Sequence, residues 1–137
     1  MQAHIEYDDN QHLLTLKLSG TPTHEQSCAA MHEQFAKIEA YEIRTLLIDY
    51  SDLRGDIRIE DISTFLDTSK PIVDALKNVK TAAVLNDALG VTSGVFSILF
   101  SLGVWIAVFK DRDQALDWLR SDARQPQWLA ERSSGRT

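Results

Sequence analysis

Residues 88–109 read ALGVTSGVFSILFSLGVWIAVF, twenty-two positions without a formal charge. The run exceeds the roughly 18 residues that suggest a membrane span. Its content argues for something else. It holds Gly90, Gly94, Gly103 and four hydroxyl residues, and residues 104–109 are rich in the β-branched and aromatic types that favour strands. The stretch therefore reads as a helix over 88–102, a stop at Gly103 and a buried strand.

Strands and helices alternate on the N-terminal side of this unit. His4 to Tyr7 alternates, a polar turn at 8–11 follows, and Leu14, Leu16 and Leu18 alternate with Thr15 and Lys17, which predicts a hairpin with one buried face. Thr23 with Gln26 has the spacing of a helix-opening capping box. The helix that follows runs to about Ala40 and is expected to bury Cys28, Met31, Phe35 and Ile38. Residues 45–50 form a nearly continuous apolar strand, as expected of one covered on both faces. A loop at Arg54-Gly55-Asp56 leads to an amphipathic helix carrying Ile59, Ile62, Phe65, Leu66, Ile72, Val73 and Leu76, with Pro71 placed to kink or restart it. Residues 81–85 are the next strand, and a last helix starts at Asp111 or Asp113 with Ala115, Leu116, Trp118 and Leu119 inward. The order β-β-α-β-α-β-α-β-α predicts an α/β domain over 1–119, with a mixed sheet of about five strands and about four helices. Residues 120–137 form a basic, solvated tail.

The 137 residues carry a net charge of −6, divided between a body of −8 and a tail of +2. An acidic body disfavours nucleic acid and anionic membrane as partners. The single cysteine, Cys28, makes no internal disulfide, and the N-terminus has acids where a secretion signal has basic residues, so a cytoplasmic location is expected.

The element order, with Leu46-Leu47-Ile48-Asp49 leading to Glu60-Asp61 at a helix start, resembles the STAS domain, the fold of bacterial anti-sigma-factor antagonists. The segment from Val108 to Leu119, a strand leading through Asp-rich residues to Ala115-Leu116-Asp117-Trp118-Leu119, is similar to the end of uncharacterised STAS-like proteins. The resemblance spans about residues 3–120. It implies a regulatory role by partner switching, with a kinase partner modifying a serine in Asp-Ser-Ser-Gly after the third strand. That motif is absent, and the nearest serine is Ser63, 14 residues past Asp49. STAS-like folds are also similar to the CRAL-TRIO lipid-carrier architecture, which implies a lipid-like ligand.

Other constellations dissolve under geometry. His24, Cys28 and His32 span roughly 12 Å along a helix, too far for one metal ion. Ser93 is one position late for a G-x-S-x-G nucleophile elbow. Neither an enzyme nor a cofactor is announced. Thr92 and Ser93 open a helix after a strand, a position that receives anions when its N–H groups are free.

The helix over 88–102 gives the sharpest functional expectation. At 100° per residue, Val91, Val95, Ile98, Leu99 and Leu102 form a core face, and Gly90, Gly94, Ser97 and Ser101 form a stripe of small residues. Leu89, Phe96 and Phe100 make a second apolar ridge. The Pro71 helix, an apolar ligand or an external surface must cover it. The expected function is non-enzymatic docking of an apolar small molecule or a hydrophobic partner surface, with a transient membrane contact or a homodimer as further forms. The regulatory alternative is a phosphorylation-controlled antagonist of an anti-sigma factor.

Overall fold

Alternation of Leu14, Leu16 and Leu18 buries one side of β2 (Leu13–Gly20), which pairs antiparallel with β1 (Gln2–Asp8). The computed structural model describes residues 2–121, the side chains at 35, 65, 68, 69 and 72 excepted. The expected tail from residue 122 onward, and the core roles expected of Phe35, Phe65 and Ile72, therefore lie outside the described residues, while Arg120, expected in the tail, ends the last helix. Thr23 caps α1 (His24–Tyr41): its Oγ1 accepts from the Gln26 N–H, and Gln26 Oε1 accepts from the Thr23 N–H, as the spacing predicts. Among the described side chains of α1, Ala30, Gln34 and Ile38 are buried, while Cys28 and Met31 are only partly buried. The chain then passes through β3 (Thr45–Leu53), a 3₁₀ turn (Ile59–Asp61), α2 (Ile62–Leu76), β4 (Lys80–Leu85), α3 (Gly90–Ser101), β5 (Ile106–Phe109) and α4 (Arg112–Arg120). α2 runs continuously through Pro71, and Ile59, expected inward, is exposed.

The sheet order is β1-β2-β3-β4-β5, with all pairs after the first hairpin parallel. Successive crossovers that step in one direction with one hand place their helices on one face. The packing follows this rule. Leu14, Leu16, Leu46, Ile48, Ala83 and Leu85 form a core with Ala30 and Ile38 of α1, Leu76 of α2, and Phe96 and Leu99 of α3. α4, the last of the described elements, lies on the opposite face, where Ala115, Trp118 and Leu119 pack on Leu47, Ala82, Val84, Ala107 and Phe109. β4 is buried at every position and uses Ala82 and Ala83 where layers meet from both sides.

The 88–109 unit folds as read. Gly103, at φ +99°, ends α3, with its N–H donating to Phe100 O and the Val104 N–H donating to Leu99 O, the paired bonds of a Schellman stop. No helix among the described residues is long and apolar enough to cross a membrane. One buried group was invisible in the sequence. Lys80 Nζ donates to Trp118 O at 2.6 Å and Ser121 O at 2.9 Å, and sits 4.6 Å from the Trp118 ring centroid. Its charge meets the carbonyl end of α4, where a cation is favoured. Lys80→Met leaves those carbonyls facing a thioether and is expected to lower the unfolding free energy by about 1–3 kcal/mol, read by urea denaturation.

Candidate functional site

The carboxyl ends of β3 and β4 carry the polar groups that ligands meet in open α/β sheets. Here they are bonded to one another. Asn86 Nδ2 donates to Ser51 O at 3.0 Å and Leu53 O at 2.8 Å, tying the loop after β4 to the end of β3. Asp56, in the loop between β3 and α2, reaches the start of α3. It accepts the Val91 N–H at 2.7 Å on Oδ2, and the Thr92 N–H at 2.8 Å and Thr92 Oγ1 at 2.6 Å on Oδ1.

This corrects the anion site expected at Thr92 and Ser93. The free N–H groups and dipole that would receive a phosphate already hold the carboxylate of Asp56. Partial burial pushes the Asp56 carboxyl up, but the Thr92 hydroxyl and the N–H groups of Val91, Thr92 and Ile57 outweigh it and hold the pKa below its ordinary value. Only the distant Arg54-Gly55-Asp56 turn could have signalled this partner. It contacts α3 across 35 residues of sequence.

A second carboxylate, Asp49, is buried in β3 and serves the helix on the other face. Asp49 Oδ1 accepts from Ser51 Oγ at 2.6 Å and the Ser51 N–H at 3.1 Å, and Oδ2 pairs with Arg112 Nη1 at 2.8 Å. Burial raises its pKa, but the Ser51 bonds and then Arg112 outweigh that and leave it lowered. The pair joins β3 to the first turn of α4. Asp87 pairs with Lys110 at 2.9 Å across the β4 and β5 ends. These groups hold loops and helices in place.

The apolar ridge also needs correction. Leu89 is 1% exposed and Phe96 6%, and Phe96 stacks on Tyr50 with centroids 6.3 Å apart. Both belong to the core with Leu99. Of the three ridge residues only Phe100, 48% exposed, is at the surface. Conversely Ile98, at 42%, and Leu102, at 55%, are exposed although the periodicity placed them inward. The core face is centred on Thr92, Val95, Phe96 and Leu99. The exposed side is therefore the Gly90–Gly94–Ser97–Ser101 stripe, flanked by Ile98 and Leu102 on one side and Phe100 on the other. A Cβ placed on Gly90 or Gly94 meets nothing within 4 Å. Ser97 Oγ and Ser101 Oγ donate back to Ser93 O and Ser97 O, leaving an uncharged surface. Ser63 is exposed in the first turn of α2. His24 Nε2 lies 3.7 Å from Cys28 Sγ, and no metal-ligating group of three is present among the described residues.

No family model matches the chain, and no curated protein matches it. Solved structures do, two among them as follows. One is an uncharacterized protein of the DUF3478 family with a SpoIIAA-like fold, from Shewanella loihica PV-4. It is 25% identical with a TM-score of 0.56, over 86% of this chain and 92% of that one. The other is an anti-sigma factor antagonist from Mycobacterium paratuberculosis, 15% identical with a TM-score of 0.60, over 88% of this chain and 94% of that one.

The carboxylate bonds predict a pH dependence. A carboxyl with a lowered folded pKa binds protons more readily when unfolded, so its stabilisation is present at neutral pH and is lost as pH falls below the ordinary carboxylate value, about 4. Asp56→Asn is expected to cost about 1–2 kcal/mol at neutral pH and to flatten the acid decline of Tm, both read by thermal melts across pH.

Proposed function

We propose that this STAS-like domain, whose fold the two solved structures share, is a non-catalytic regulatory module that binds a protein partner through the exposed side of α3. The observation that carries the reading is the pair of open glycines. A glycine inside a helix costs roughly 0.5–1 kcal/mol relative to alanine, and Gly94 packs against nothing among the described residues that would require it. A bare backbone flanked by Ile98, Leu102 and Phe100 suits the close approach of an apolar surface, such as a partner helix. The anti-sigma factor antagonist of the same fold is a protein whose name describes action on another protein, which supports a protein partner over a small molecule.

Magnitude sets the kind of complex. Burying the exposed halves of three large apolar side chains gains about 2–5 kcal/mol, against an association cost of about 4–15 kcal/mol. These side chains alone do not offset that cost, so further contacts complete the complex and it stays exchangeable, as partner switching requires. A lipid-like ligand held between Leu89 and Phe96 does not suit their close packing, and the docking residues become Ile98, Phe100 and Leu102.

The experiment separates folding from binding. Gly94→Ala is expected to raise the unfolding free energy by about 0.5–1 kcal/mol while weakening partner retention. Phe100→Asp with Leu102→Asp is expected to keep the far-ultraviolet circular dichroism and lose the partner in cross-linking mass spectrometry from the native cell. Phe96→Asp, by contrast, unfolds the domain. Retention of the same protein by the Phe100/Leu102 variant sinks the reading.

A phosphate switch at Ser63 is a second reading, favoured by its exposure in the first turn of α2, where a phosphate meets the helix dipole. Glu60 and Asp61, three and two positions before it, oppose the added charge. Intact-mass measurement of protein from its native cell is expected to show an addition of one phosphate that Ser63→Ala removes. Persistence of the addition in that variant assigns it elsewhere.

A further inference from the structure

On the face opposite α1, α2 and α3, α4 packs on β3, β4 and β5. Beside α4, above the β1–β2 hairpin, runs a groove formed by two adjoining hollows of about 350 and 380 Å³ that share Gln11, Leu13, Leu116 and Arg120. Leu13, Leu116 and Leu119 make its apolar floor, and Glu6, Asp8 and Asp9 lie along its hairpin rim. Among the described residues none of these three carboxylates is ion-paired. The basic groups at the groove have other bonds: Arg112 holds Asp49, and Arg120 Nε donates to Gln11 Oε1 at 3.4 Å.

The chain leaves α4 at this place. Lys80 fixes Ser121 O at the amino end of β4, and Lys80, Thr45 and Leu13 are successive neighbours in register. The exit and the groove are thus about two strand spacings apart, roughly 10 Å. Sixteen residues follow Ser121, with Arg124, Arg132 and Arg136 placed around Trp128-Leu129. Trp128 lies seven positions past Ser121, a reach of up to about 25 Å. The composition complements the groove: an aromatic and an aliphatic side chain for an apolar floor, and guanidinium groups for a carboxylate rim.

We propose that this groove is the docking site of the chain's own residues 122–137, with Trp128 and Leu129 on the floor and Arg124 and Arg132 toward Glu6, Asp8 and Asp9. Docking covers the half of the sheet face that α4 leaves open and shields the acidic hairpin, independently of the α3 surface.

The test uses the full 137-residue chain, uniformly labelled with nitrogen-15 for amide NMR. Trp128→Ser with Leu129→Ser is expected to shift the amide signals of Leu13, Thr45, Leu116 and Leu119. Glu6→Gln with Asp9→Asn is expected to shift the signals of Trp128 and Leu129 in turn, and 0.5 M salt to reproduce part of that change. Shifts confined to the neighbours of the substituted positions overturn the proposal. So do shifts centred on Trp105 and β5, which place the segment on the other side of α4. Signals that change on tenfold dilution of the wild-type chain assign the groove to a second copy, and overturn it as well.

Discussion

Everything in this domain follows from one constraint: four parallel strands laid down in sequential order, joined by crossovers of one hand. That order leaves α1, α2 and α3 no choice of face. It makes β3 and β4 interior strands, covered above and below, and so demands the apolar run at 45–50 and the alanines at 82 and 83. It also leaves the second face to α4, which lies outside the series of crossovers joining the described strands. α4 is free to sit where its own apolar stripe fits best, and the Asp49–Arg112 pair and the Lys80 cap on its carbonyl end fix it from opposite ends.

Local signals in the sequence were enough to set the element order. Thr23 with Gln26, the Leu14-Leu16-Leu18 alternation, and Gly103 after a helical run each encode a backbone conformation within a few residues, so they were legible without knowing the fold. The polar contacts that join distant elements were not. Asp56 looks like an ordinary loop residue until α3 arrives above it, and Lys80 looks like a strand-flanking surface residue until Trp118 and Ser121 present their carbonyls. Both contacts depend on pairings 35 to 41 residues apart, which no periodicity records.

The misplaced ridge has a different cause. α3 carries no charge on any side, so its hydrophobic pattern lacks the polar face that normally fixes which side is inward. Placing Ile98 and Leu102 in the core and Phe96 outside satisfied the counting of apolar residues as well as the arrangement observed. The choice is made by the strand side: Tyr50 in β3 offers a ring for Phe96 to stack on. Rotating the helix to bury Phe96 brings Thr92 inward under Asp56, so the cap and the stacking agree on one orientation.

That orientation gives the small-residue stripe its meaning. Had Gly90 and Gly94 faced the sheet, close packing of helix on strand would account for them, as it accounts for Ala82 and Ala83. They face outward instead, where alanine fits without contact and would strengthen the helix. Serines at 97 and 101, with their hydroxyls turned back onto the helix, extend the same smooth surface. A chain with a net charge of −6 keeps all of its formal charges off this helix. Attraction between charges therefore adds nothing at the contact itself, and binding there rests on shape and apolar area. Such an interface depends steeply on how closely two backbones approach. A single methyl group at Gly94 is then felt by a partner more strongly than by the fold.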